Sequence, residues 1–208
     1  MFDLDGTLLD SEKIYSRCWM EAAGVYGYVM TREMSLELRS LDAQLAKQLF
    51  ASWYGVGEIY SQVRQKRREL MRGVIEKDGI AAKTGAKEIL GFLSESGIKT
   101  CIVTATAKET ACKNLQCAGI KTEGIDIVSV TEVRRGKPYP DVYLFACKEA
   151  KVSPERVIVV EDSPNGVKSA FKAGCKVIMV PDLTEPDEGI EDMLVVCKQS
   201  LDEVREWL

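Results

Sequence analysis

The chain contains no histidine. That absence removes serine-histidine and cysteine-histidine hydrolysis, and with them histidine-bound zinc. No stretch approaches the roughly 18 consecutive apolar residues a membrane-spanning helix needs. There is no Cys-x-x-Cys pair among the seven cysteines, an odd number scattered through apolar runs; this fits reduced, buried thiols rather than a disulfide framework or a zinc site. Asp3 and Asp5 stand where a basic and then apolar leader would be, so no secretory signal is expected and the expected location is cytoplasmic. Nor is there a global excess of basic charge, the formal net charge being -4, which argues against nucleic acid as a partner. One basic run, Arg64, Lys66, Arg67 and Arg68, alternates with apolar positions at helical spacing and reads as a solvated helix face. Chemistry must come from carboxylates, lysine, hydroxyls and backbone amides.

The 208 residues suffice for one large domain, or a core with a smaller insertion. From about residue 80 onward, short β-branched runs alternate with helical segments. The runs are 99–104, 126–130, 157–161, 176–180 and 194–197. Helix boundaries lie between them: Thr106 with Glu109 and Ser200 with Glu203 read as capping boxes, Ser153-Pro154 and Ser163-Pro164 as N-caps followed by proline, and Gly119 and Gly174 as helix ends. This alternation implies an α/β fold, a Rossmann-like parallel sheet covered on both faces, with ligands bound beyond the carboxyl ends of the strands. Residues 11–79 differ, showing helical periodicity and no convincing strand, with helices expected over 12–28, 32–39, 42–53 and 58–77. The expected organisation is a core of residues 1–10 and 80–208, with an inserted all-helical cap domain at 11–79.

The sharpest local signal is Met-Phe-Asp3-Leu-Asp5-Gly6-Thr7-Leu8. Two carboxylates two residues apart at a strand end can enter one polar pocket, where they repel unless a cation or proton separates them. A hard divalent cation such as magnesium resolves this with oxygen ligands. One carboxylate can then attack phosphorus while the other moves a proton; the competing reading is a structural ion site or a turn cap. A second acidic pair, Glu161-Asp162, follows the apolar run 157–160 and so falls on the same rim. It too could merely cap the next helix, although Ser163 already fills that role. Thr104 ends a strand before a helix, where a hydroxyl and backbone amides can hold phosphate oxygens, although threonine is common at strand ends. Lys137 sits in the loop Gly136-Lys137-Pro138-Tyr139-Pro140-Asp141, stiffened by its prolines. A lysine there can offset carboxylate and phosphoryl charge, although a lone lysine is more often plain surface.

Taken in order, these pieces resemble the haloacid dehalogenase-like phosphotransferase superfamily, and within it the beta-phosphoglucomutase-like subgroup with a helical cap. The resemblance is strongest over 2–12 and 83–181 and weakest in the cap. It implies Asp3 as a nucleophile that forms an aspartyl-phosphate and binds Mg2+, and Asp5 as general acid/base with its backbone carbonyl on the metal. It further implies Gly6, Thr104, Ala105 and Lys137 around the transferring phosphoryl group, Asp162 as metal ligand, and Glu161 as ligand or neighbour. Arg39 is the nearest candidate for a cap arginine gripping phosphate.

Two departures stand out. Only Met1 and Phe2 precede the nucleophile, whereas a strand usually holds about 5 residues, so most of the first strand is expected to be missing. The mutases of the subgroup share a cap histidine, and counting places Tyr15 there. The expected function is therefore a Mg2+-dependent phosphatase for small phosphorylated metabolites. The alternatives are a sugar-phosphate mutase and a catalytically impaired regulatory or binding protein; carbon-halogen cleavage ranks lower because Asp5 is a feature of phosphoryl transfer. The expected partner is a small phosphomonoester, with no nucleic acid and no membrane, and the sequence is neutral between monomer and homodimer. Tyr15 and Trp19, at i, i+4 spacing, are candidates for substrate specificity but read better as cap core.

Overall fold

The computed structural model describes residues 1–208. Five short parallel strands form its sheet: β1 (Cys101–Thr104), β2 (Asp126–Ser129), β3 (Ile158–Glu161), β4 (Lys176–Met179) and β5 (Val196–Cys197). β1 pairs with β2, and β4 lies between β3 and β5. The two halves are joined by Phe2, which bridges Ile102 on one side and Val160 on the other, both in parallel. Its N–H donates to the Cys101 carbonyl at 2.9 Å and its carbonyl accepts from Val103 at 2.8 Å. On the other flank, the Val160 N–H reaches Met1 and the Asp3 N–H reaches Val160, each at 2.9 Å. Met1, Phe2 and Asp3 thus bond both neighbouring strands and fix where Asp3 leaves the sheet.

Alternation along each strand divides the core. Ile102, Val160 and Ile178 face one apolar cluster with Phe2 and Leu4, while Val103, Val159, Val177 and Met179 face another. The first cluster is covered by α5 (Ala86–Glu95), α6 (Lys108–Cys117) and α10 (Leu201–Val204). The second is covered by α7 (Asp141–Ala150), α8 (Pro164–Lys172) and α9 (Glu188–Glu191). Burial on both faces explains why the strands read as continuous apolar runs.

Residues 12–78 form four helices: α1 (Glu12–Val25), α2 (Arg32–Glu37), α3 (Ala43–Tyr54) and α4 (Tyr60–Asp78). They enclose a third apolar cluster built on Trp19, Phe50, Tyr60 and Val63. Chain passes between this unit and the sheet at two adjacent links, tied by Asp10 N–H to the Ala81 carbonyl and Lys83 N–H to the Leu8 carbonyl, each at 2.9 Å. The helices match their expected positions with ends shifted by at most three residues.

Several local expectations fail. Thr106 does not cap α6; Ala107 holds that place without a side-chain bond, because the Thr106 hydroxyl is engaged by Asp5. Ser200 makes no capping bond to its four-residue helix. Ser153-Pro154 opens only a 3-10 turn. Ser163 does cap α8, accepting from the Gly166 N–H at 3.2 Å.

Candidate active site

Asp3, Thr104 and Glu161 stand at the carboxyl ends of parallel strands, so the topology delivers them to one rim. Lys137 arrives from the loop after β2 and is completely enclosed. Its ammonium donates to Asp3 Oδ1 at 2.5 Å and to Glu161 Oε1 at 2.6 Å. Tyr143, on α7, donates its hydroxyl to the same Glu161 oxygen at 2.6 Å. The other Glu161 oxygen accepts from the Asp162 N–H at 3.3 Å and, more distantly, from the Ser163 hydroxyl. Glu161 is therefore fully occupied within the protein. Of the two roles its motif left open, the geometry favours neighbour over direct ligand.

Asp162 is different. Both of its oxygens are buried without a hydrogen-bond partner, as is Asp3 Oδ2. Carboxylate oxygens from Asp3, Glu161 and Asp162 lie within 4.8 Å of one another. Three buried carboxylates so close together, with only Lys137 and Arg39 beside them, are costly. Hard oxygen donors in this number fit a divalent cation of the magnesium type. Burial, together with the neighbouring carboxylates, holds Asp3 well above its ordinary carboxylate pKa even though Lys137 opposes the shift. Burial likewise pushes Asp162 up to about 7, with Arg39 opposing and Glu161 adding to the rise. Burial alone would lower Lys137, but Asp3 and Glu161 outweigh it and raise its pKa, so it stays charged.

Asp5 has different partners. Its carboxylate accepts from the Ser11 hydroxyl at 3.0 Å and the Thr106 hydroxyl at 2.7 Å. Burial raises its pKa, with those two hydrogen bonds pulling back. Its side chain is outside the cluster of Asp3, Glu161 and Asp162. Directly after Asp5, Gly6 adopts φ +89°, and a Cβ there would collide with the Asp162 carboxylate and meet Glu12. Only glycine both takes this backbone and leaves that room. Gly166 is needed for a similar reason, since a Cβ would run into the Glu161 carboxylate.

Thr104 is buried, its hydroxyl accepting from the Thr106 N–H at 2.9 Å. Ala105 and Thr106 line the adjoining cavity of about 80 Å³, together with Asp5, Glu12, Tyr15 and Arg39. Arg39 comes from the four-helix unit, its guanidinium 3.4 Å from Asp162 Oδ2. Its backbone carbonyl accepts from Asn165 at 2.9 Å. Nearby, Asp42 accepts from the Gly136 N–H at 2.7 Å and donates its own N–H to the Lys137 carbonyl at 2.7 Å. The structure thus brings together the candidate site residues named from the sequence and adds several that were not. Glu12, Ser11 and Tyr143 carried no motif signal, and Thr106 carried only a capping signal. Arg64 and Arg67, read as a solvated face, instead line the cavity. The available sign was that they lie on the same α4 face as the buried Tyr60 and Met71. Tyr15 and Trp19 line the cavity as well, and Trp19 also belongs to the apolar cluster.

Comparison with known proteins gives the family. Residues 1–180 match the haloacid dehalogenase-like hydrolase family, and the chain belongs to that family. Hexitol phosphatase A of Escherichia coli is 32% identical over 207 residues, covering 96% of this chain and 94% of that protein. The phosphorylated carbohydrates phosphatase of Thermotoga maritima is 26% identical, covering 84% and 80%. A hydrolase structure from Pseudomonas syringae superposes with a TM-score of 0.88 at 22% identity, covering 99% and 95% of the two chains. Structures described as beta-phosphoglucomutases share the fold. The protein is an α/β hydrolase of this family, and its curated relatives include phosphatases. No helix is long and apolar enough to cross a membrane.

Proposed function

We propose that the chain is a Mg2+-dependent phosphatase of small phosphorylated carbohydrates that works through an aspartyl-phosphate on Asp3. The observation that carries this reading is the pairing of two buried aspartates two residues apart with different surroundings. Asp3 is held by Lys137 beside a metal-type carboxylate cluster, while Asp5 is held by hydroxyls and has a raised pKa. That division suits a nucleophile and a proton carrier.

Asp3 and Asp162 would hold the magnesium ion with the Asp5 backbone carbonyl, and the ion would neutralise charge on the phosphoryl oxygens. Asp3 Oδ2 attacks phosphorus as the bond to the substrate oxygen breaks, and Asp5 gives its proton to that leaving oxygen. Asp5 then takes a proton from water as the water attacks the aspartyl-phosphate and restores Asp3. Lys137 balances charge beside Asp3, and the Thr104 hydroxyl with the backbone amide of Ala105 binds phosphoryl oxygens. Glu161 is a positioning residue for Lys137. The four-helix unit acts as the cap over this reaction, its boundaries at residues 11–79 and the core at 1–10 and 80–208. Arg39 contributes a cap cation. The unpaired cysteines support a reducing, cytoplasmic setting.

A carbohydrate substrate is supported by the hexitol and carbohydrate phosphatases among the relatives. The test is phosphate release from a panel of sugar and polyol phosphates, with magnesium and with chelator. Magnesium-dependent release from carbohydrate phosphates is expected. Release unaffected by chelator, or interconversion of hexose 1- and 6-phosphates without release, contradicts the reading.

A further inference from the structure

At the end of the sheet opposite the catalytic rim, a groove of about 540 Å³ opens between α5 and α6. It lies where the chain leaves each of these helices and turns into β1 or β2, so its walls come from 97–100 and 119–125 as well as from α5. This volume falls within the ~300–1,000 Å³ of ordinary ligand pockets. The floor is aliphatic: Leu90 and Ile120 are buried, and Ile98 stays 40% exposed beside them. Gly91 lies in the middle of α5 without a left-handed backbone, and a Cβ there would meet no atom within 4 Å. Glycine is costly in a helix interior, and neither backbone nor packing demands it at this position. Its bare surface gives the groove depth.

Lys87, Lys99 and Lys121 stand around this floor, and Glu123 is the only acid among the lining side chains. None of the three lysines belongs to an ion pair. Lys99 makes one long contact, 3.5 Å, to the Ala150 carbonyl. Lys87 reaches the end of α6 beside Gly119, where a cation offsets the negative end of the helix dipole. That role accounts for one lysine, not for three around an aliphatic floor. Groups that grip hydroxyls are scarce: the Thr100 hydroxyl is spent on the Ile98 carbonyl at 3.2 Å, which leaves Ser94. The groove is therefore unsuited to a bare sugar ring. It suits a flat apolar body bearing phosphate, since lysine ammonium groups act as point charges for phosphate. Both helices end here, and helix ends leave carbonyls without intrahelical partners. With Glu123, these offer acceptors to an amino group on that body.

We propose that this groove is a second ligand site, separate from the catalytic one, that takes a purine nucleoside phosphate, its base against Leu90, Ile98 and Ile120 and its phosphates among the three lysines. The site shares no residue with Asp3 and its neighbours, so it stands whether or not the chain is a phosphatase. Simple attraction of anions would need only the lysines, whereas the depth at Gly91 and the aliphatic floor call for a body as well as a charge.

The test is calorimetric binding to the full chain in chelator, where metal-dependent turnover is silent, with ADP, adenosine and pyrophosphate as probes. Backbone amide shifts by NMR locate the bound ADP. ADP should bind with a Kd of about 0.1 mM or tighter, and adenosine and pyrophosphate each about tenfold or more weakly. Lys87→Gln and Lys121→Gln should each weaken ADP several-fold. Gly91→Leu puts a strong helix former where a Cβ meets nothing, so that chain should keep its Tm and its phosphate release while losing ADP. The amide shifts should gather at 87–100 and 119–125. Pyrophosphate binding as tightly as ADP would reduce the groove to a lysine patch and overturn the site. ADP binding untouched by Gly91→Leu, shifts centred on Asp3 and Thr104, or no ADP binding at about 1 mM would overturn it equally.

Discussion

Lys137 stands between two buried carboxylates, and its single charge serves both. Truncating it leaves Asp3 and Glu161 unpaired in a dry environment, so Lys137→Ala should cost about 3–5 kcal/mol of stability and abolish turnover. Denaturant unfolding checks the first effect; a loss under about 1 kcal/mol would mean that water reaches the pair. Asp5 supplies a second residue-scale prediction. Its folded pKa lies above the ordinary value of 3.8, with burial as the cause. As general acid it must be protonated, so kcat/KM should fall as pH rises through that elevated pKa. A pH profile of Asp5→Asn should be low and lack this limb; an unchanged limb would assign it to another group. Both aspartates, Lys137 and Asp162 could be found in the sequence because each sits in a short motif whose chemistry needs that residue. Glu12 and Tyr143 could not. They act through tertiary contact, and a lone glutamate at a helix start or a tyrosine within an apolar helix carries no distinguishing pattern.

At the scale of elements, the sheet was legible because β-branched runs between capped helices dictate parallel crossovers. The helical insertion was legible from its period. Its cluster of Trp19, Phe50 and Tyr60 closes a core of its own. What failed were local capping rules, in the case of Thr106 because the site claimed the side chain. Thr106 followed by Glu109 has the form of a capping box, yet its hydroxyl serves Asp5. The Arg64–Arg67 face was misread because charge at helical spacing ordinarily faces water, and only the neighbouring element shows otherwise. Asp42 combines two tasks, capping α3 through the Gln44 and Leu45 amides and fastening the unit to Gly136 and Lys137. Asp42→Ala should therefore destabilise by about 1 kcal/mol or more as a cap loss and also speed proteolysis within residues 12–78. Unchanged proteolysis would show that the latch is not what holds the four helices down.

At the scale of the whole molecule, the cavity of about 80 Å³ between helices and sheet is well below the ~300–1,000 Å³ of ordinary ligand pockets. The buried carboxylates also couple global stability to pH. Asp162 moves from 3.8 to about 7 on folding, chiefly through burial. The folded chain then holds more protons than the unfolded chain between those values, so stability should fall as pH rises from about 4 to 7. In chelator, Tm should drop by several degrees across that window, and magnesium should flatten the curve. A Tm independent of both pH and magnesium would mean that these carboxylates are neither crowded nor metal-linked.

The central claim is that Asp3 becomes phosphorylated during turnover. Its most direct test is an acid quench of the chain turning over a hexitol phosphate with magnesium, followed by peptide mapping. The account predicts a phosphoryl group on the peptide that begins the chain, at Asp3, with neither phosphopeptide nor phosphate release in Asp3→Asn. Full turnover by that variant, or a phosphoryl group found on another residue, would contradict it.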